Sequence, residues 1–115
     1  MPVTSLTRTV RPRAKVYLGT DMIGAGKIEL LGNVARLGSR QKAATAMGMT
    51  EERAAFLLSS MEACFEAPLL VQDNASDRLT PLGEELLRRY GALQTALDEA
   101  AEPFMAWMDT VARSD

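Results

Sequence analysis

Residues 38–55 read GSRQKAATAMGMTEERAA, an order that few folds accommodate. Ser39 and Thr50 each precede a run of helix formers, so each supplies a side-chain oxygen for the unpaired N–H groups of a helix start. Gly48 stands between the runs, where a residue tolerant of positive φ is required to stop one helix and turn into the next. The spacing predicts a short helix from Ser39 to Ala46 or Met47 and a second helix capped by Thr50. Two helices joined so tightly cross at close range, and Ala44 is the small residue that lets them approach.

The flanks extend this pattern. Ile28, Leu31, Val34, Ala35 and Leu37 recur at helical spacing after Lys27, with Gly38 as the stop. After Thr50, the residues Ala54, Leu57, Leu58, Met61, Cys64 and Phe65 share one face and predict a buried stripe, ended by Pro68. Leu69-Leu70-Val71-Gln72, a turn over 73–77, and Arg78-Leu79-Thr80 predict a small hairpin. Residues 14–18 suggest a short strand before the turn signals Gly19, Gly24 and Gly26. Thr80-Pro81 then opens a long helix, with Glu84 and Glu85 suited to its positive end. In that helix Leu86, Tyr90, Leu93, Leu97, Ala100, Phe104, Trp107 and Val111 alternate spacings of four and three, a heptad-like seam. Pro103 is expected to end or kink it. The seam can dock on its own core or meet the same seam of a second chain. The second is favoured, because a small helical body leaves little apolar face to cover so long a stripe.

Composition narrows the chemistry. The chain has 115 residues, no histidine and one cysteine, which suits one domain and leaves the usual zinc sites without ligands. Cys64 belongs to a core stripe and has no histidine base beside it, so it reads as packing rather than as a nucleophile. No phosphate loop or convergent acid–base set is present, so no enzyme, cofactor or metal is expected. No run of apolar residues suits a membrane span or a secretory signal, and the expected location is the cytoplasm. The net charge of -2 conceals an asymmetry. Residues 1–27 carry Arg8, Arg11, Arg13, Lys15 and Lys27 against Asp21 alone, whereas the remainder is acidic. Such a basic head is either an arm that follows phosphates or a solvated terminus.

Helix, short helix, glycine turn, helix and hairpin together form the layout of a winged helix-turn-helix. The expected fold is mainly α, with a flexible basic arm over 1–13, the winged motif over 14–80 and a long C-terminal dimerisation helix over 81–115. In this layout the helix from Thr50 is the one that enters a major groove. The candidate DNA-contacting residues are Arg40, Gln41, Lys42, Thr50, Glu51, Glu52, Arg53 and Arg78, with Arg11 and Arg13 from the arm. The candidate dimer contacts are Leu86, Tyr90, Leu93, Leu97, Phe104 and Trp107. Glu51 and Glu52 complement the helix dipole, yet in a DNA complex they bring like charge toward the backbone. A glutamate can also accept from the amino group of cytosine. The expected partner is double-stranded DNA; the alternative is a winged-helix module that binds another protein and has lost DNA readout.

The segments GKIELLGNVARLGSRQKAATAMGMT, MEACFEAPLLV and RLTPLGEELLRRY resemble the N-terminal winged-helix domain of ModE-type molybdate-responsive regulators and, more distantly, the LysR-type reader domain. The likeness covers about residues 14–97. It is most specific at Gly38, Ser39, Ala43 and Ala44, at the Met-Gly-Met-Thr turn, and at Leu79-Thr80-Pro81-Leu82-Gly83. It implies operator binding by a dimer held partly by the long helix. ModE-type readers continue into an oxyanion-binding domain, whereas this sequence ends after the long helix, so molybdate sensing is not expected. The family also tends to place an aromatic and a basic residue in the first turn of its reading helix, and glycine and basic groups in its wing. Here Glu51, Glu52 and the acidic 73–77 turn stand instead.

Overall fold

Four helices and two antiparallel hairpins make up residues 12–113, the part described by the computed structural model. Strand β1 (Lys15–Leu18) pairs with β2 (Asp21–Gly24), Lys15 lying opposite Gly24. Only β1 is foreshadowed by the sequence. Gly19 does turn the chain, at φ 65°, but Gly24 closes a second strand rather than a turn. That strand is too short to display its alternation, although Ile23 points into the core at 4 % exposure.

Helix α1 (Ala25–Leu37) starts two residues before the expected Lys27 and buries Leu30, Leu31 and Val34. Ala35, assigned from its spacing to the apolar stripe, is exposed. The Gly38 N–H donates to the Val34 carbonyl at 2.8 Å with φ 83°, the left-handed cap predicted there. Helices α2 (Arg40–Ala46) and α3 (Glu51–Glu62) follow, capped as expected: Ser39 Oγ accepts from Lys42 N at 2.9 Å and Thr50 Oγ1 from Arg53 N at 3.0 Å. Between them Gly48 N donates to Thr45 O at 3.1 Å and Met49 N to Ala44 O at 3.0 Å. This pair of bonds is a Schellman closure, and it requires the φ of 68° that Gly48 adopts. A Cβ on Gly48 would touch nothing, so the demand there is conformational rather than steric.

The core gathers around this turn. Ala43, Ala44 and Ala54 are sealed between the helices, against Leu30, Leu31, Val34, Leu58 and Met61. The three alanines let α1, α2 and α3 come close enough for the larger side chains to interdigitate. Helix α3 stops at Glu62, well before Pro68. Its last carboxylate turns to accept from Leu69 N at 2.8 Å and Leu70 N at 3.0 Å, tying the helix end to the next strand. Cys64 and Phe65 still pack against the core, from a turn instead of from the helix.

Strands β3 (Leu70–Asp73) and β4 (Ser76–Leu79) form the second hairpin. Its loop is shorter than the 73–77 turn expected: only Asn74 and Ala75 connect the strands, both at positive φ, 51° and 66°. Two such residues match the twist of the strands they join. Thr80 then caps α4 (Pro81–Val111), accepting from Gly83 N at 3.1 Å while its own hydroxyl donates to Pro68 O at 2.7 Å. Gly83 is buried because α4 starts directly against the chain entering β3; a Cβ there would collide with the Leu69 carbonyl oxygen.

Pro103, expected to end or kink this helix, lies inside it. The turn around it is exposed, so water can reach the Glu99 carbonyl that loses its N–H partner. At roughly 1.5 Å per residue the 31-residue helix is about 46 Å long. It sets the 52 Å long dimension of the molecule. Only its first turns, through Leu82, Leu86 and Leu87, rest on the core.

Candidate nucleic-acid interface

Helix α3 is amphipathic in a way that leaves one face open. Ala54, Leu58 and Met61 point inward, so the helical period turns Glu52, Ala55, Phe56 and Ser59 outward, and all four are exposed. Thr50, Glu51 and Arg53 at its start are exposed as well. The Arg53 guanidinium sits over the Phe56 ring, 5.9 Å from its centroid, and Phe56 is 63 % exposed. Phe56 was not among the residues singled out from the sequence. Its signal was an aromatic residue lying off the buried stripe, and such a ring beside a cation is suited to a thymine methyl or a flat base edge.

Glu51 and Glu52 form no salt bridge among the described residues. Both carboxylates lie in the first turn of α3, near the positive end of its dipole. Gln41 and Lys42 are exposed on α2, one turn away in the motif.

The wing contributes differently from its sequence. Asp77, grouped above with an acidic turn, is only 8 % exposed. Its carboxylate accepts from Arg40 N at 2.9 Å and pairs with Arg40 Nε at 3.4 Å, while its own N–H donates to the Gly38 carbonyl at 2.8 Å. Asp77 therefore clamps the wing onto the start of α2, and its charge is directed inward. Arg40 is in part a structural partner, although its side chain stays 47 % exposed. Arg78 faces solvent and pairs with Asp73 at 3.3 Å, which offsets the remaining acid of the wing.

Basic groups converge on the other side of α3. A hollow of about 500 Å³ between the first hairpin, the start of α1 and the α2–α3 turn is lined by Arg13, Lys15, Lys27 and Arg53. Arg13 and Arg53 are 40 positions apart in the sequence, and the fold brings them to one concavity. Lys27 is held by Met22 O at 2.9 Å and Ser60 Oγ at 3.1 Å, fixing hairpin to helix. Arg8 and Arg11 lie outside the described residues.

The segment leading from the arm is anchored on α4. Tyr90 donates its hydroxyl to Ala14 O at 2.7 Å, and Gln94 accepts from Ala14 N at 2.9 Å and donates to Pro12 O at 3.1 Å. Tyr90, named above as a dimer contact, thus has an intrachain partner, and Leu86 packs against the core of its own chain. Leu97 is half-buried, whereas Leu93, Phe104 and Trp107 are 46 %, 56 % and 56 % exposed. Among the described residues no group of three or more Cys, Asp or Glu could hold a metal ion, and no helix is long and apolar enough to cross a membrane.

No protein-family model and no curated protein matches the sequence. Among solved structures, that of VV2_1132, a LysR family transcriptional regulator, is similar over 76 % of this chain, with a TM-score of 0.61 and 18 % sequence identity. The likeness takes in 30 % of the length of that regulator. At this identity what is shared is architecture: a mainly helical winged helix-turn-helix followed by a long helix, as found within a LysR family transcriptional regulator.

Proposed function

We propose that the chain is a DNA-binding transcriptional regulator that reads the major groove with α3 and acts as a homodimer through α4. The observation that carries this reading is the open face of α3, capped by Thr50, with Arg53 stacked on Phe56 and basic groups gathered beside it. In this reading Arg53, Phe56 and Gln41 meet base edges. Lys42, Arg13 and the exposed parts of Arg40 and Arg78 suit phosphates. Glu51 and Glu52 lower the affinity and select against poorly matched backbone, so the complex depends on few phosphate contacts. The likeness to LysR family and ModE-type readers supports the same role.

The test is a titration of fluorescent duplex by the full chain at low and moderate salt. Binding that weakens with salt in proportion to the few phosphates neutralised is expected, because each one releases a counterion. Arg53→Ala should weaken a selected site by about 1–3 kcal/mol, whereas Arg13→Ala should weaken all sequences alike. Absence of binding at both salts discards the proposal.

The unpaired Glu51 and Glu52 favour a second reading, a module that docks a basic partner protein at the start of α3. Gain of duplex affinity in Glu51→Gln/Glu52→Gln supports the DNA reading; a variant that stays inert toward duplex favours the module.

A further inference from the structure

The hollow between the first hairpin, the start of α1 and the α2–α3 turn has a floor unlike its rim. Met22, Met47, Met49 and Leu57 are half-buried and make its lining mostly apolar. Leu57 follows Arg53 by one helical turn, so α3 directs an apolar side chain and a cation to the same space. Met47 and Met49 flank Gly48, and the turn there brings both to the hollow. Three of the chain's seven methionines thus meet here, and an unbranched thioether adapts readily to a flat apolar body.

The rim is cationic. Arg13, Lys15 and Arg53 are exposed and Lys27 is half-buried. Among the described residues none of the four forms a salt bridge, and no carboxylate lines the hollow. Lys27 spends two of its three ammonium protons on Met22 O and Ser60 Oγ, which leaves one donor. Four like charges around one concavity repel each other, and an anion seated among them relieves that repulsion. A guanidinium presents two parallel N–H donors to a carboxylate. At about 500 Å³ the hollow has the size and the make-up of a small-molecule pocket, apolar walls with a few charged groups. A phosphodiester or a hydrated inorganic anion could answer the rim, but it has nothing apolar to lay on the floor.

We propose that this hollow binds a small organic acid, a flat apolar body bearing a carboxylate, and that its occupant competes with duplex. The body lies on the methionines and Leu57, and the carboxylate meets the rim cations. Arg13 and Arg53, once engaged by the acid, are no longer free for DNA. The site itself stands on the hollow alone; the competition rests on the DNA reading above. By linkage, duplex must weaken the acid by the factor by which the acid weakens duplex.

The experiment titrates the full chain with naphthoate, with its neutral amide and with inorganic phosphate, and follows the backbone amide NMR signals. Saturable shifts gathered around Met22 to Lys27, Met47 to Met49 and Arg53 to Leu57 are expected from naphthoate. The amide and phosphate should each bind about tenfold more weakly or worse. Arg13→Gln/Arg53→Gln, at two exposed positions, should remove most of the preference for acid over amide. Shifts centred on α4, or equal binding of acid and amide, or phosphate that binds as well as the acid, overturn the site. With the site filled, the duplex Kd should rise about threefold or more. A filled site that leaves duplex affinity unchanged overturns the competition and keeps the site. A chain that binds the acid and no duplex overturns the DNA reading, and the competition with it, while the site stands.

Discussion

Helices α3 and α4 carry apolar stripes of similar spacing, but one is closed inside the chain and the other is largely open. In α3 the stripe meets α1 and the alanines of α2, so Ala54, Leu58 and Met61 are sealed. In α4 only the first turns meet the core, and Leu93, Phe104, Trp107 and Val111 stand 46–57 % exposed. Periodicity reports that a face has to be covered; it is silent on what covers it. The stability of the α3 stripe should therefore be a property of one chain, and that of the α4 stripe a property of protein concentration.

The largest effect that sharpens this contrast is expected at Leu30, a fully buried side chain. Leu30→Ala should cost about 2–5 kcal/mol in denaturant unfolding, independent of concentration. Trp107→Ala in dilute solution should fall within roughly 0.5 kcal/mol of the parent. A similar loss in both would erase the distinction between the two stripes. Gly83→Ala is next, at about 1–3 kcal/mol, since the added methyl meets a carbonyl that cannot yield without moving the wing. Asp77→Ala follows at about 1–2 kcal/mol. It removes the acceptor of Arg40 N and loosens wing from motif, which hydrogen exchange at residues 38–42 would register.

The smallest effect belongs to Glu85, on the surface of α4. Hydrogen bonds from Arg89 and then Arg88 hold its carboxyl below the ordinary value of 4.5. Because the folded value is the lowered one, whatever the group contributes is present above the ordinary value. It is lost as pH falls through the lowered one. Glu85→Gln should shift Tm only slightly at neutral pH, and the shift should vanish in acid; a large shift would show this pair to matter more than a screened surface contact can.

Much of the motif could be read from local signals. Ser39, Thr50 and Thr80-Pro81 start helices where expected, and Gly38 and Gly48 turn as expected, because each acts on backbone groups within four or five residues. The first hairpin was half legible: β2 has four residues, and Gly24 resembles a turn glycine until Lys15 is placed opposite it. Pro103 does not end the helix, because the cost of a proline there depends on whether water reaches the freed carbonyl. The outer face of α3 followed from its inner one, yet Phe56 passed unnoticed until its exposure was known. Asp77 passed as wing acidity because its partner, Arg40, is 37 positions away.

By itself the sequence determined the order of the four helices and the second hairpin, the helix caps, the glycine turn and the presence of two apolar stripes, all of which arise from contacts a few residues apart. Only the tertiary structure decided that Asp77 faces inward, that Gly83 must have no side chain, that Arg13 joins Arg53, and that the far half of the α4 seam stays open. Those depend on which distant segments share a surface, and burial and charge pairing are settled there rather than along the chain.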